Sequence, residues 1–204
     1  MLAAALGAAA AGPGWRFDVA GGAAWNAATP LVIEQAGEEP LWIDARYNTR
    51  PLAEVPYYGL RLGRGQDARW EFELVHHKLY LDDRPPEVGR FRVTHGYNYL
   101  CLNRSWPAGP LELRFGAGPM LVHPENTVRG RVLDETRGIL GTGWYVGGAG
   151  FQFGAGRRWR LGRVVELVIE GKATAAWAEV PVAGGRATVP NAALHGLAGL
   201  GFRL

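Results

Sequence analysis

The sequence predicts an all-β protein, an eight-stranded antiparallel up-and-down transmembrane β-barrel. Three observations lead there. Eight segments alternate with a period of two, their connections alternate between short and long, and many positions opposite the apolar ones are glycine. Alternation means an extended strand with two unlike faces, because successive side chains on a strand point to opposite sides.

The first segment sets Trp15, Phe17, Val19, Gly21, Ala23 and Trp25 on one parity and Arg16, Asp18, Ala20, Gly22 and Ala24 on the other. In the second, Tyr58, Leu60 and Leu62 oppose Tyr57, Gly59 and Arg61; in the third, Trp70, Phe72 and Leu74 oppose Arg69, Glu71 and Glu73. The fourth, from Arg90 to Asn103, alternates more weakly. The fifth sets Leu111, Leu113, Phe115 and Ala117 against Glu112, Arg114, Gly116 and Gly118. The sixth carries Ala149, Phe151 and Phe153, and the seventh runs from Trp159 to Ile169. The eighth, with Ala198, Leu200, Phe202 and Leu204 on one face, ends the sequence.

A soluble sandwich and a membrane barrel share such alternation. In a sandwich the apolar faces meet and the charges face water; in a barrel the apolar face meets lipid and the charges pair inside. The glycines favour the barrel, since the interior of eight strands is narrow and its positions must often be small. Connection lengths agree. Short turns at Gly63–Ala68, Ser105–Pro110 and Gly154–Arg158 alternate with long connections at Asn26–Val55, Leu81–Gly89, Pro124–Arg137 and Ala173–Asn191. Outer-membrane barrels combine periplasmic turns with longer extracellular loops in this way.

The totals set the remaining bounds. The 204 residues suit one domain, and 48% hydrophobic with 20% charged residues is neither a disordered chain nor a helical membrane protein. No stretch approaches the roughly 20 apolar residues that a spanning helix needs. The net charge of +3 comes from dispersed arginines, with Lys78 and Lys172 the only lysines. Without a basic stripe, nucleic acid is not an expected partner. Cys101 stands alone, which excludes a disulfide framework and paired-cysteine zinc spacing; its parity predicts an apolar filler on the lipid face. Residues 1–12, with LAAALGAAAAG, read as a signal-peptide remnant and 13–204 as the barrel.

With both termini periplasmic, this topology sends all five histidines and both lysines to the extracellular rim. A symmetric hairpin about Pro85–Pro86 sets His76 opposite His95, and the register carried across Ser105–Pro110 sets His123 opposite Phe91. His76, His95 and His123, with Glu125, are therefore the candidate metal ligands, since convergence of about three such groups makes a site. The plainer alternative is that His and Lys are ordinary residents of the headgroup layer, with Glu170 and Lys172 an internal ion pair. No HExxH, GxSxG or paired-cysteine motif is present. Ser105, the only serine, falls in a periplasmic turn, which argues against a deacylase.

Read in order, PYYGLRLG (Pro56–Gly63), FELVHHKLY (Phe72–Tyr80), VTHGYNYLCLN (Val93–Asn103), GAGPMLVHPE (Gly116–Glu125), the Glu170–Lys172 pair and the final strand resemble the lipid A oxidase-like outer-membrane barrels of alphaproteobacteria. The resemblance spans about residues 56 to 204. It implies oxidation of the proximal glucosamine of lipid A to an aminogluconate, with molecular oxygen as co-substrate and a divalent metal, Mn or Fe. The family's His-x-Lys motif falls on His76 and Lys78, its Thr-[Asp/His]-Gly block on Thr94, His95 and Gly96 with Asn98 after it, and its acidic-x-Lys pair on Glu170 and Lys172. The implied catalytic residues are thus His76, Lys78, His95, Asn98, Glu170 and Lys172. The sequence departs from the family at His123–Pro124, where the order is reversed. Expected partners are lipopolysaccharide, the outer-membrane bilayer and the barrel-assembly machinery, around a monomer. Lys78 and nearby arginines would hold the lipid phosphates. The rival reading is a non-enzymatic structural or binding barrel; a lumen filled by side chains is no general pore.

Overall fold

The computed structural model describes residues 14–65 and 68–204; the signal-like segment lies outside the described residues. Its strands are β1 (Trp15–Asn26), β2 (Thr29–Gln35), β3 (Leu41–Ala45), β4 (Tyr47–Asn48), β5 (Tyr58–Arg64), β6 (Arg69–His76), β7 (Leu79–Leu81), β8 (Val88–Ala108), β9 (Leu111–Val128), β10 (Arg131–Val132), β11 (Tyr145–Arg160), β12 (Val165–Val182) and β13 (Gly185–Arg203). Eight of these form a closed antiparallel wall in the order β1, β5, β6, β8, β9, β11, β12, β13, with β13 returning to β1. Among the described residues no helix is long and apolar enough to cross a membrane.

The outward face at membrane level is a band of Phe72, Leu102, Phe115, Phe151, Phe153, Ile169 and Leu200. Exposed Trp15, Trp70 and Trp159 lie near its periplasmic margin and Trp25 and Trp177 near the opposite one. Such aromatic girdles mark the two interfaces of a spanning barrel.

Inside, the charges of the alternate parity meet. Arg61 donates to Asp18 at 3.1 Å, to Glu73 at 2.8 Å and to Glu170 at 2.9 Å. Lys172 Nζ donates to Glu73 at 2.5 Å and to Gln152 Oε1 at 2.9 Å. Arg114 reaches Glu71 at 3.0 Å and also bonds Glu170. A buried charge is tolerable only when paired and hydrogen-bonded, and here each partner is supplied from another strand. Glycine makes the room at Gly116, where a Cβ would stand 1.7 Å from Asn103 Oδ1.

Towards the extracellular end the polarity inverts. Inward positions become Ala178, Val180 and Val182 on β12 and Ala187 and Val189 on β13, packed with Leu31 and Ile33 of β2. Outward positions become Glu179 and Arg186, both exposed. The wall leaves lipid for water at about Trp177, and from there it folds as a soluble β-protein around an apolar core.

Several boundaries differ from the sequence reading. Gly154–Arg158 is not a turn but the continuation of β11; the turn is residues 161–164. Ala173–Asn191 is not a long connection, because β12 and β13 run on and meet at Ala183–Gly184. Likewise β9 continues to Val128, and Asn26–Val55 contains three strands of its own. Towards the extracellular end periodicity faded because the apolar face changed sides, and in Gly154–Arg158 because both faces carry small or basic residues. Cys101 faces inward with Asn103 and Ser105 and is fully buried, so it is not a lipid-face filler.

Glu73 is the shared carboxylate of Arg61 and Lys172. Glu73→Ala is expected to cost about 3–5 kcal/mol, the penalty for leaving buried cations unpaired, measured by urea unfolding in lipid vesicles. A loss below about 1 kcal/mol, the range of an exposed pair, would show that other groups take over its role.

Candidate functional site

Three ligand-type side chains meet on the outside of the wall, just above the apolar band. On β9 the outward parity runs Phe115, Ala117, Pro119, Leu121, then His123 and Glu125. On β8 the pairing with β9 slips between Val93 and Tyr97, and the bulge contains Thr94, His95 and Gly96. Bulges re-aim side chains; this one turns His95 out beside His123, with ring centroids 4.8 Å apart. Gly96 sits at φ 147°, and a Cβ there would meet the Asn98 amide at 2.1 Å. The ligand atoms of His95, His123 and Glu125 all lie within 4.8 Å of one another.

Glu125 is the anchor. Its carboxylate accepts from Thr94 Oγ1 and from Arg92, whose Nε lies at 2.9 Å, and His95 Nδ1 stands 3.4 Å away. Burial pushes its pKa up, but the bonds from Thr94 and Arg92 and the Arg92 charge outweigh burial and hold it below the usual glutamate value. With a lowered folded value, its contribution to stability is complete above the ordinary value of about 4.3 and is lost only as pH falls through the folded one. His123 is buried against Trp144, with ring centroids 5.2 Å apart, and its Nδ1 has no protein partner among the described residues. Gly143 at φ 74° closes this pocket, since a Cβ there would stand 2.6 Å from His123 Nε2.

The remaining residues singled out by sequence lie elsewhere. Val75 pairs with Tyr99, so His76 faces Asn98 and not His95; its Nδ1 lies 2.9 Å from Asn98 Oδ1 and its ring stacks on Tyr58. His123 is not opposite Phe91 either, because Phe91 pairs with Asn126 and Val93 with Pro124. The bulge on β8 carries His76 past His95, while His123 misses Phe91 because the β8–β9 turn is at Gly109–Pro110 and not centred on Ser105–Pro110. His76 therefore stands beside the trio and outside it. Lys78 is fully buried, and Nζ donates to the carbonyls of Arg50, Ala53 and Val55 at 2.9, 2.5 and 2.7 Å. It pins the first extracellular segment and is not at the rim to meet a phosphate. Glu170 and Lys172 also lie away from the rim, within the lumen network. His77 and His195 face inward, the latter bonding Tyr57 Oη at 2.6 Å and Thr174 Oγ1 at 2.8 Å.

Sequence reasoning named nearby arginines beside Lys78 without saying which ones reach the rim. Arg50, Arg84, Arg90 and Arg92 line a cleft of about 300 Å³ together with Asp82 and Asp83. Arg92 also bonds Glu125, so the cleft adjoins the trio. The alternation of Arg90 and Arg92 at the start of β8 was the available signal.

No family model matches the chain, and no curated protein matches it. Solved structures do. It is similar to outer membrane protein AlkL in DMPC bilayers, at 11% identity and TM-score 0.52, covering 100% of this chain and 96% of that one. It is also similar to outer membrane protein OprG from Pseudomonas aeruginosa, at 11% identity and TM-score 0.50, covering 94% of this chain and 96% of that one. The wall, the girdles and these likenesses define an outer-membrane β-barrel. The protein is an eight-stranded barrel located in the outer membrane.

Gly143→Ala is expected to loosen the segment that covers His123, since a left-handed alanine costs about 1 kcal/mol or more and its Cβ collides with the imidazole. Trypsin cleavage after Arg137 should quicken by about five-fold, the equivalent of 1 kcal/mol, while the wall keeps its unfolding midpoint. Unchanged cleavage would mean that the segment does not depend on Gly143.

Proposed function

We propose that this barrel is an enzyme of the outer leaflet, a metal-dependent lipid A oxidase of the kind its sequence resembles. The observation that carries the reading is the convergence of His95, His123 and Glu125 on the outward face, directly above Leu121. Lipid A lies in that leaflet, so a group that acts on its sugar must stand where this trio stands.

The donor set fits the implied metal. Two imidazoles and one carboxylate are the ligand type of oxygen-using non-haem iron sites, and Mn shares the preference for such nitrogen and oxygen donors. The unpartnered Nδ1 of buried His123 supports the fit, because a buried polar atom otherwise lacks compensation. Bound there, a divalent ion would supply an open coordination position for dioxygen. Thr94 and Arg92 hold the Glu125 carboxylate in orientation, as outer partners of metal ligands do. Trp144 and Gly143 fix the His123 ring. The phosphate-holding role expected of Lys78 and nearby arginines falls to the arginines alone, Arg50, Arg84, Arg90 and Arg92, with forked donors suited to phosphate. Oxidising the anomeric carbon removes two electrons and two hydrogens, which dioxygen accepts to leave as hydrogen peroxide. Hydrolysis of the resulting lactone adds water, so the acid is one oxygen heavier than the sugar. His76, on the neighbouring strand β6, and Asn98, on β8, would border the sugar.

A second reading, a non-enzymatic binding barrel, is favoured by one observation. An open cleft of about 920 Å³ lies between Trp42 of β3 and Pro85–Pro86, apart from the trio. An exposed Trp42 beside Asp44 and Asp82 suits an extracellular ligand without any chemistry.

The purified barrel is expected to bind one Mn(II) per chain by calorimetry. Thr94→Val, which frees the carboxylate of Glu125 from its hydroxyl partner, should weaken that binding about 10–100-fold. Equal affinity in the variant would remove Thr94 from the site, and absence of binding in the parent would remove the metal.

Mass spectrometry of lipid A from cells expressing the barrel should show a gain of one oxygen that is lost in His95→Ala. Unchanged lipid A, with the barrel folded in the outer membrane, would leave the binding reading as the better account.

A further inference from the structure

The periplasmic margin of the wall carries an arrangement that the outer-leaflet site does not use. Four residues on four adjacent strands stand in one register row on the outward face. Trp15 of β1 pairs with Arg64 of β5, Arg64 with Trp70 of β6, and Trp70 with Arg104 of β8. Aromatic and cationic side chains thus alternate along the row. The Arg64 guanidinium lies 5.4 Å from the Trp15 ring centroid and that of Arg104 lies 5.2 Å from Trp70. Both arginines are exposed, and among the described residues neither has a carboxylate partner. This contrasts with Arg61, Arg114 and Arg158, whose charges are all paired inside.

The next row locates the lipid. Phe17 pairs with Leu62, Leu62 with Phe72, and Phe72 with Leu102, so the positions two residues further along each strand are entirely apolar. Hydrocarbon therefore begins one step above the Trp–Arg row. Guanidinium groups there need an anion at the edge of the hydrocarbon, where charge without a partner is costly. Trp rings at an interface stay at headgroup depth, so Trp15 and Trp70 hold the arginines at that depth.

We propose that this row is a binding site for the phosphate of an anionic glycerophospholipid in the periplasmic leaflet, held by Arg64 and Arg104 on either side of Trp70. Arginine suits the task because its planar fork binds phosphate while its face stacks on an aromatic ring. The site is independent of the oxidase reading, for it lies at the opposite membrane face. It anchors the barrel vertically and recruits acidic lipid to β5, β6 and β8.

Native mass spectrometry of the detergent-purified full chain with added dioleoylphosphatidylglycerol tests it. The parent should retain one lipid adduct. Arg64→Gln/Arg104→Gln should weaken retention about twenty-five-fold, two cationic contacts of about five-fold each. Arg64→Lys/Arg104→Lys should retain most of it, since the charges remain. Folding is checked by the mobility difference between unheated and boiled samples. If the double glutamine variant does not fold, each single variant should lose about five-fold. Phosphatidylglycerol retention equal in parent and glutamine variants would overturn the proposal. So would a loss confined to added lipid A, which would assign the row to the other leaflet's lipid.

Discussion

An eight-stranded wall encloses a space too narrow for water-solvated charges, yet the half of each strand that faces away from lipid carries them. That constraint is met by the network around Arg61, Arg114 and Lys172, in which Glu71, Glu73 and Glu170 each serve more than one cation. Its members come from β5, β6, β9 and β12, so the ion pairs close only when the barrel closes. The network sets the register of the wall and blocks the lumen. It also leaves the outward face apolar between the two tryptophan girdles, apart from Arg157, which lies over Trp159 at the lower one. Chemistry has to lie above or below that band, on the outside.

The upper site follows from the same geometry. Where β8 and β9 rise out of lipid their outward positions can become polar, and the first such positions on β9 are His123 and Glu125. A bulge at Thr94–Gly96 supplies the third group. The segment around Gly143 then covers His123, and Arg92 ties Glu125 to an arginine-lined cleft. Each piece is local, but the site exists because two strands and one loop reach the same point. At the lower margin the transition runs the other way, from apolar Phe17, Leu62, Phe72 and Leu102 to the Trp–Arg row.

Much of the wall was legible in the sequence, because period-two alternation is imposed residue by residue by lipid on one side and a packed lumen on the other. Segments such as Leu111–Ala117 kept that contrast and were placed correctly. The stretches beyond Trp177 were not. There water replaces lipid outside and an apolar core replaces charge inside, so Ala178, Val180 and Val182 inverted the signal that marked β12. A different cause hid the continuation of β11 through Gly154–Arg158, where small and basic residues resembled a turn. Of the metal-ligand candidates, His95, His123 and Glu125 converge, whereas His76 does not, because register counted from Pro85–Pro86 assumed an unbroken hairpin.

Sequence alone was enough for the architecture and for the side of the residues in the strongly alternating strands, since both depend on parity; on the weakly alternating β8 it put Cys101 on the wrong face. Tertiary structure decided which polar groups meet. Lys78 carries the same charge in any conformation, yet only the folded chain brings the carbonyls of Arg50, Ala53 and Val55 around it and removes it from the lipid surface. Glu170 and Lys172 face the lumen by parity, but only the folded chain brings Arg61 and Glu73, far away in sequence, against them. Such contacts depend on shear, bulges and loop packing, which link distant strands and leave no local mark on the residues they join.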